Sequence, residues 1–227
     1  RLSEKLSDLP KVVPDSKRRG RVGLLLLRSY LVSGNSGHYD PVIAALEAHG
    51  LQVVPAFASG LDSRPAIDTY FMKNNQVAVD AVISLTGFSL VGGPAYNDAK
   101  AAEEVLAKLD VPYIAAHPVE FQTLTQWGGS DRGLMPVEST IMVAIPELDG
   151  ATQPMVYGGR PGAAGTTCTG CHQRCTFTEE HNPQDMFTCV ERTAMLAART
   201  AKLVDLRNSD KANRKIGLVI FNFPPNA

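Results

Sequence analysis

The sequence predicts a doubly wound α/β fold, a mainly parallel sheet with helices on both faces. Three observations predict it. Short apolar runs alternate with amphipathic segments along the 227 residues. The runs are continuously apolar, as in strands buried on both faces. Glycines and titratable residues gather just after the runs, at the edge where such sheets bind ligands.

Residues 21–29, "RVGLLLLRS", read as the first strand. The helix of "DPVIAALEAHG" follows, with Asp40 as N-cap, Pro41 at the first helical position and Gly50 as the stop. Tyr39, Val42, Ile43 and Leu46 share its core-facing stripe. Residues 51–59 form the next strand, and a short helix lies around 65–72. Residues 81–87 form a third strand, 98–109 a helix, 112–117 a fourth strand, and "STIMVAIPELDG" a fifth. "PMVYGG" reads as a short edge strand. A helix over 190–204 buries Val190, Ala194, Ala197, Ala201 and Val204, and 215–221 closes the sheet. The chain reads as one α/β domain, 1–227, with a cysteine-bearing excursion at about 160–189. It has no initiating Met and stops as its last strand reaches a loop, so it reads as an excerpt of a longer polypeptide.

Net charge is −1 and the only basic run, "KRRGR" at 17–21, abuts a strand, which argues against a nucleic-acid partner. The longest apolar run is too short to span a bilayer. No secretory n-region, h-region and cleavage site is present. The expected location is cytoplasmic, where clustered cysteines signal metal or redox chemistry.

Four rim loops carry candidate site residues: "SGNSGHYD", "TGFSLVGGP", "AAHP" and "PELDG". None is G-x-G-x-x-G, and no G-x-x-x-x-G-K-[ST] occurs, so the chain does not hydrolyse ATP unaided. "TCTGCHQRCTF" holds three of the four cysteines, spaced Cys168-x₂-Cys171-x₃-Cys175-x₁₃-Cys189. Three ligands from one loop and a fourth from elsewhere suit a [4Fe–4S] cluster. Zn²⁺ is the alternative, although its sites more often use two separated pairs. His172 and His181 are available to replace one sulfur.

"GHYDPVIAALEAHG", "VISLTGFSLVGGPA", "LDVPYIAAHPVEFQT" and "VAIPELDG…QPMVYGGR", in that order from about Val13 onward, resemble the porphyrin-binding large (H) subunits of magnesium chelatases. The cobaltochelatase large subunits share a weaker version. The cysteine excursion resembles the insertion of the purple-bacterial type. The resemblance implies binding of protoporphyrin IX for Mg²⁺ insertion in bacteriochlorophyll biosynthesis, with ATP hydrolysed by AAA+-type partner subunits. Metalation removes two pyrrole protons and dehydrates a hard cation, so it wants a base and carboxylate oxygens. Glu147 is then the expected proton acceptor or Mg²⁺ relay, supported by Asp149, with His38 as base or axial ligand. Thr86, Gly92 and Gly93 would let backbone approach a flat ring, Tyr39 and Phe88 would stack on it, and His117 is a further contact. Two other classes compete: an iron–sulfur oxidoreductase module with flavin or nicotinamide, and a zinc-stapled interaction module without catalysis.

Overall fold

The computed structural model describes residues 3, 5–93 and 95–220. β1 (Gly20–Leu25) is followed by a short helix, α1 (Arg28–Ser33), that ends on Gly34. α2 (Asp40–Ala48) then leads to β2 (Leu51–Ala56). Pro41 sits in the first turn of α2 as expected, but Tyr39 holds the N-cap position and its side chain makes no capping bond. α3 (Arg64–Tyr70) precedes a hairpin of β3 (Met72–Lys73) and β4 (Gln76–Val77), then β5 (Ala81–Ser84). A second hairpin, β6 (Gly92–Gly93) and β7 (Tyr96–Asn97), leads into α4 (Ala99–Leu109). The Asp98 carboxylate caps α4 by accepting the Ala101 N–H at 3.0 Å.

β8 (Tyr113–Thr123) runs into α5 (Leu124–Gly128), which opens with a capping box of Thr123 and Gln126. α6 (Pro136–Glu138), a π-helical segment (Ser139–Ala144) and α7 (Ile145–Asp149) follow without a break. β9 (Thr152–Arg160), β10 (Phe187–Thr188) and α8 (Val190–Asn208) follow, and single 3-10 turns lie at Leu6–Asp8, Asp15–Lys17 and Lys211–Asn213. On α8 the buried stripe is Thr193, Leu196, Ala197, Thr200, Ala201 and Val204, while Val190 and Ala194 of the expected stripe are exposed.

The sheet has the order β10-β9-β8-β5-β1-β2, parallel throughout except for β10. Leu24, Ile83, Ile114 and Met155 face a core shared with Leu46 of α2 and Leu196 and Val204 of α8. Val54, Val82 and Tyr113 face the other core with Ile67 of α3 and Ala102 and Leu109 of α4. Helices thus cover both faces, as the alternation of elements requires.

Three expected strands need correction. The strand expected in "STIMVAIPELDG" is helical, because Pro136 and Pro146 stand in first turns where their fixed φ suits a helix. Its apolar residues serve a helix face, Met142 and Pro146 being buried four residues apart. "PMVYGG" belongs to β9, an interior strand between β8 and β10. Among the described residues, 215–220 pair with neither edge strand, and Ile216, Leu218, Val219 and Ile220 are exposed. Position 221 of that expected strand lies outside the described residues.

Candidate functional site at the carboxyl rim

The order of the sheet sets where a ligand meets the fold. From β1 the chain moves outward to β2, then returns to place β5 on the other side of β1. The loops after β1 and after β5 therefore diverge, which makes the β1/β5 boundary the topological switch point. Those loops carry His38 and Thr86. β8 pairs with β5 only as far as Ser84 opposite Ala115, then continues beside β9 above the rim.

His38 is 1% exposed, and neither ring nitrogen has a hydrogen-bond partner among the described residues. Its ring lies 3.9 Å from the Tyr39 ring, 4.9 Å from Tyr30 edge-on and 6.2 Å from Tyr157 in a stacked pose. Burial pushes its pKa down to about 4, against a smaller opposing pull from the Asn35 backbone. At neutral pH the imidazole is uncharged and keeps a free lone pair, the form needed of a base or axial ligand. Tyr39 is equally buried, and its hydroxyl accepts the Leu27 N–H at 3.2 Å. Tyr30 donates to Glu120 Oε1 at 2.6 Å. Neither Tyr30 nor Glu120 stands out in the sequence, since only tertiary structure brings them together.

The loop after β5 is clamped from below. Leu90 N–H donates to Asp149 Oδ2 at 2.7 Å, and Asp149 is 1% exposed at the end of α7. Burial raises the Asp149 pKa, while the Leu90 N–H and the Ser89 hydroxyl act against that rise. Ser84 Oγ and Thr86 Oγ1 lie 2.9 Å apart, both buried. Asp149 thus anchors the "TGFS" loop from within the fold and is not a solvated turn residue. Replacing Asp149 with alanine orphans a buried N–H and is expected to cost about 2–3 kcal/mol, read as a lowered denaturant midpoint.

The other rim candidates separate. Glu147, on α7 and not on a turn after a strand, is exposed and does not share the enclosed setting of His38 and Thr86. His117 is not in a loop but inside β8 opposite Val156, buried and without a partner at either nitrogen among the described residues. Burial, and then the charge of Arg192, lower its pKa to about 4. Gly92 (φ 119°) opens the β6–β7 hairpin, where a Cβ would collide with the Tyr96 carbonyl oxygen. That close approach accounts for a glycine there. Gly93 is its neighbour in β6, and Phe88 is half-buried.

The cysteine excursion leaves the same rim after β9. Cys168 N–H donates to Cys175 O at 2.8 Å, closing a small loop that presents Cys171 and Cys175. Glu191 of α8 holds that loop by accepting the Gln173 N–H at 2.8 Å, with His172 Nδ1 3.2 Å away. Cys189 is the N-cap residue of α8. The Cys171, Cys175 and Cys189 Sγ atoms all lie within 4.8 Å of one another, the first and last 3.4 Å apart. Burial pushes the Cys189 thiol up to about 12, and the neighbouring sulfurs add to the rise. Such a group of thiols loses its protons readily only to a cation. Cys168 stands outside this trio. It is 4% exposed and packs with Val119, Leu124, Val156 and Phe177, beside Trp127. Arg192 covers that indole at 4.9 Å.

Fold and rim together define a class: a doubly wound α/β protein with a buried, neutral histidine at its switch point and a separate thiol centre. The family described as CobN/Magnesium Chelatase matches residues 3–227. The chain belongs to that family. It is 52% identical over 228 residues to the magnesium-chelatase H subunit of Cereibacter sphaeroides, covering 100% of this chain and 19% of that relative. It is 39% identical over 207 residues to the chloroplastic magnesium-chelatase ChlH subunit of Oryza sativa subsp. indica, covering 90% of this chain and 14% of the relative. The chain thus spans about a fifth or less of the length of these relatives. The catalytic subunit of cobaltochelatase from Mycobacterium tuberculosis shares the fold, with a TM-score of 0.60 at 19% identity over 86% of this chain and 15% of that one. The oxidoreductase and zinc-module readings find no support among these relatives. Among the described residues no helix is long and apolar enough to cross a membrane.

Proposed function

We propose that the protein containing this chain is the porphyrin-binding subunit of a cytoplasmic magnesium chelatase. In this reading it holds protoporphyrin IX while Mg²⁺, the second substrate, enters during bacteriochlorophyll synthesis. The 227 residues act as one α/β domain that supplies part of the ring site, with the 160–189 excursion appended. ATP hydrolysis falls to separate AAA+-type subunits, in keeping with the missing G-x-x-x-x-G-K-[ST].

The observation that carries the reading is the buried imidazole of His38 at the switch point, with no hydrogen-bond partner at either nitrogen among the described residues, in a chain 52% identical to a magnesium-chelatase H subunit. In this site His38 accepts a pyrrole proton or sits axial to the ring. Tyr39 and Phe88 border the macrocycle beside Thr86, Gly92 and Gly93, and His117 lies deeper on β8. Glu147, exposed and able to exchange water for a cation, accepts a proton or relays Mg²⁺. Asp149 supports it by holding the Thr86 loop.

Titrating the full-length protein with protoporphyrin IX, a flavin and NADH tests the reading. Trp127 fluorescence is expected to quench with the porphyrin alone. Glu147→Ala is expected to leave the folding midpoint unchanged and to lower Mg²⁺ insertion with its partner subunits about tenfold. Full insertion by that variant removes Glu147 from the mechanism.

The thiols read as ligands of a [4Fe–4S] cluster, which would supply redox chemistry that chelation itself does not use. Their spacing fits a thiolate-bound metal, three sulfurs from two segments facing one point. Zn²⁺ is favoured on one count: a tetrahedral ion with bonds of about 2.3 Å sets sulfurs about 3.8 Å apart, near the 3.4 Å seen for Cys171 and Cys189. Metal and sulfide analysis of anaerobically purified protein separates the two.

A further inference from the structure

The loop that carries His38 is held by the segment that carries Cys189. Gly34 (φ 78°) and Gly37 have open space where a Cβ would stand, so residues 34–37, ahead of the buried His38, gain little from packing of their own. Inside the loop, Tyr39 N–H donates to Ser36 O at 3.0 Å. The side-chain ties found among the described residues cross to residues 184–188. The Asn35 amide makes two of them, donating from Nδ2 to Gln184 O and accepting the Met186 N–H at Oδ1, each at 2.9 Å. Thr188 Oγ1 donates to His38 O at 3.0 Å in a buried setting. A groove of about 420 Å³ runs along the seam, bordered by Asn35, Gly37, Pro41 and Phe187. Directed hydrogen bonds, more than apolar contact, therefore join the two segments.

Cys189 follows Thr188 directly, and its N–H donates to Tyr157 O at 3.0 Å. The Tyr157 ring in turn stacks with His38. Two short routes thus run from the thiol trio to His38: through Thr188 to its carbonyl, and through Tyr157 to its ring. We propose that Asn35 and Thr188 are positioning residues through which an intact three-thiol centre fixes His38 and prepares the rim for the ring. The inference rests on the porphyrin and thiol-centre readings above. It deepens them by giving the centre a task that needs no electron transfer. Closing the centre ties Cys171 and Cys175 to Cys189, which restrains residues 187–189 and, through them, the 34–38 loop. By reciprocity, a bound ring then tightens metal retention by the same factor.

Hydrogen exchange on the full-length protein, with ring binding and metal content measured in parallel, tests this. Cys175→Ser, which breaks the centre, is expected to speed exchange at the Tyr39 and Met186 amides about tenfold. It is also expected to weaken protoporphyrin IX binding about fivefold. Asn35→Ala should reproduce both effects with metal content unchanged, a combination that general unfolding would not give. Thr188→Ser, which keeps the hydroxyl, should behave as wild type, and Thr188→Val as Asn35→Ala. Exchange at those amides that Cys175→Ser leaves unmoved overturns the link, whatever happens to ring binding. A wild type that fails to bind the ring overturns the rim reading alone, because exchange still decides the link.

Discussion

Cys175→Ser is expected to abolish the metal binding proposed for the full-length protein, and Cys168→Ala to leave it intact, as read by metal analysis of the two variants after anaerobic purification. The structure separates the four cysteines by what surrounds them. Cys171, Cys175 and Cys189 point three sulfurs at one small volume. Serine offers a hard hydroxyl oxygen in place of a soft thiolate, a poor exchange for iron or zinc. Losing one of three thiolates is expected to weaken metal binding at least about a hundredfold, which empties the site at ordinary protein concentrations. Stabilisation by mass action goes with it, about 4 kcal/mol for a metal held at a thousand times its dissociation constant. Cys168 packs as a core residue, although the Cys171 and Cys175 sulfurs lie near enough for charge on one to be felt by the other. Its sulfur accepts the Gly170 N–H at 3.4 Å and fills space against Gly128, where a Cβ would lie 2.7 Å away. Cys168→Ala is therefore expected to cost about 1–2 kcal/mol of stability through the small cavity it leaves, with metal content unchanged. Equal metal loss from both variants restores Cys168 as a ligand and with it the four-sulfur set that spacing alone implies.

That division is hidden from the sequence because spacing counts residues along a loop, whereas burial is decided by what the loop folds onto. Much else is legible. The continuous apolar run of β1, the proline at the start of α2 and the Asp98 cap of α4 each express a local preference that tertiary structure keeps. The two glycine-bearing loops around His38 and Thr86 do flank the switch point. The departures share a cause. "STIMVAIPELDG" holds a β-type run, Ile141, Met142 and Val143, yet two prolines and the burial of one helical face outweigh β propensity there. Residues 156–159 look too short and glycine-rich for an interior strand. Gly158 is needed because a Cβ there would collide with Phe187 O, a constraint imposed by β10 and invisible until that strand is in place. His117 and Asp149 stand out in the sequence for their chemistry, and the fold buries both, one within β8 and one under the β5 loop. Asn35, Thr188, Tyr30 and Glu120 carry no local signal because each gains its role from a partner between 90 and 151 residues away.

Acid unfolding provides the second large effect, and the two buried histidines set its sign. Each has a folded pKa of about 4 against an ordinary value of 6.5, because burial disfavours the imidazolium. Above pH 6.5 both are neutral folded or unfolded, and their contribution to stability does not change with pH. Below it the unfolded chain takes up protons that the folded protein refuses, so stability falls as pH falls. The slope is about 1.4 kcal/mol per pH unit for each histidine between about pH 6.5 and 4, so each amounts to roughly 3 kcal/mol across that window. Asp149 works in the opposite sense: its raised pKa lets the folded state bind a proton before the unfolded chain does, which offsets part of the loss as pH falls. Arg192, near His117, deepens the depression of that histidine by repelling a second positive charge. Denaturant midpoints measured from about pH 7.5 to 4 should therefore decline steeply in wild type, and His117→Gln should remove about one proton's worth of slope. His38→Gln should remove a similar amount. If neither variant flattens the curve, the imidazoles are already protonated or solvated in the folded protein, and the neutral lone pair assigned to His38 at the rim is lost with them.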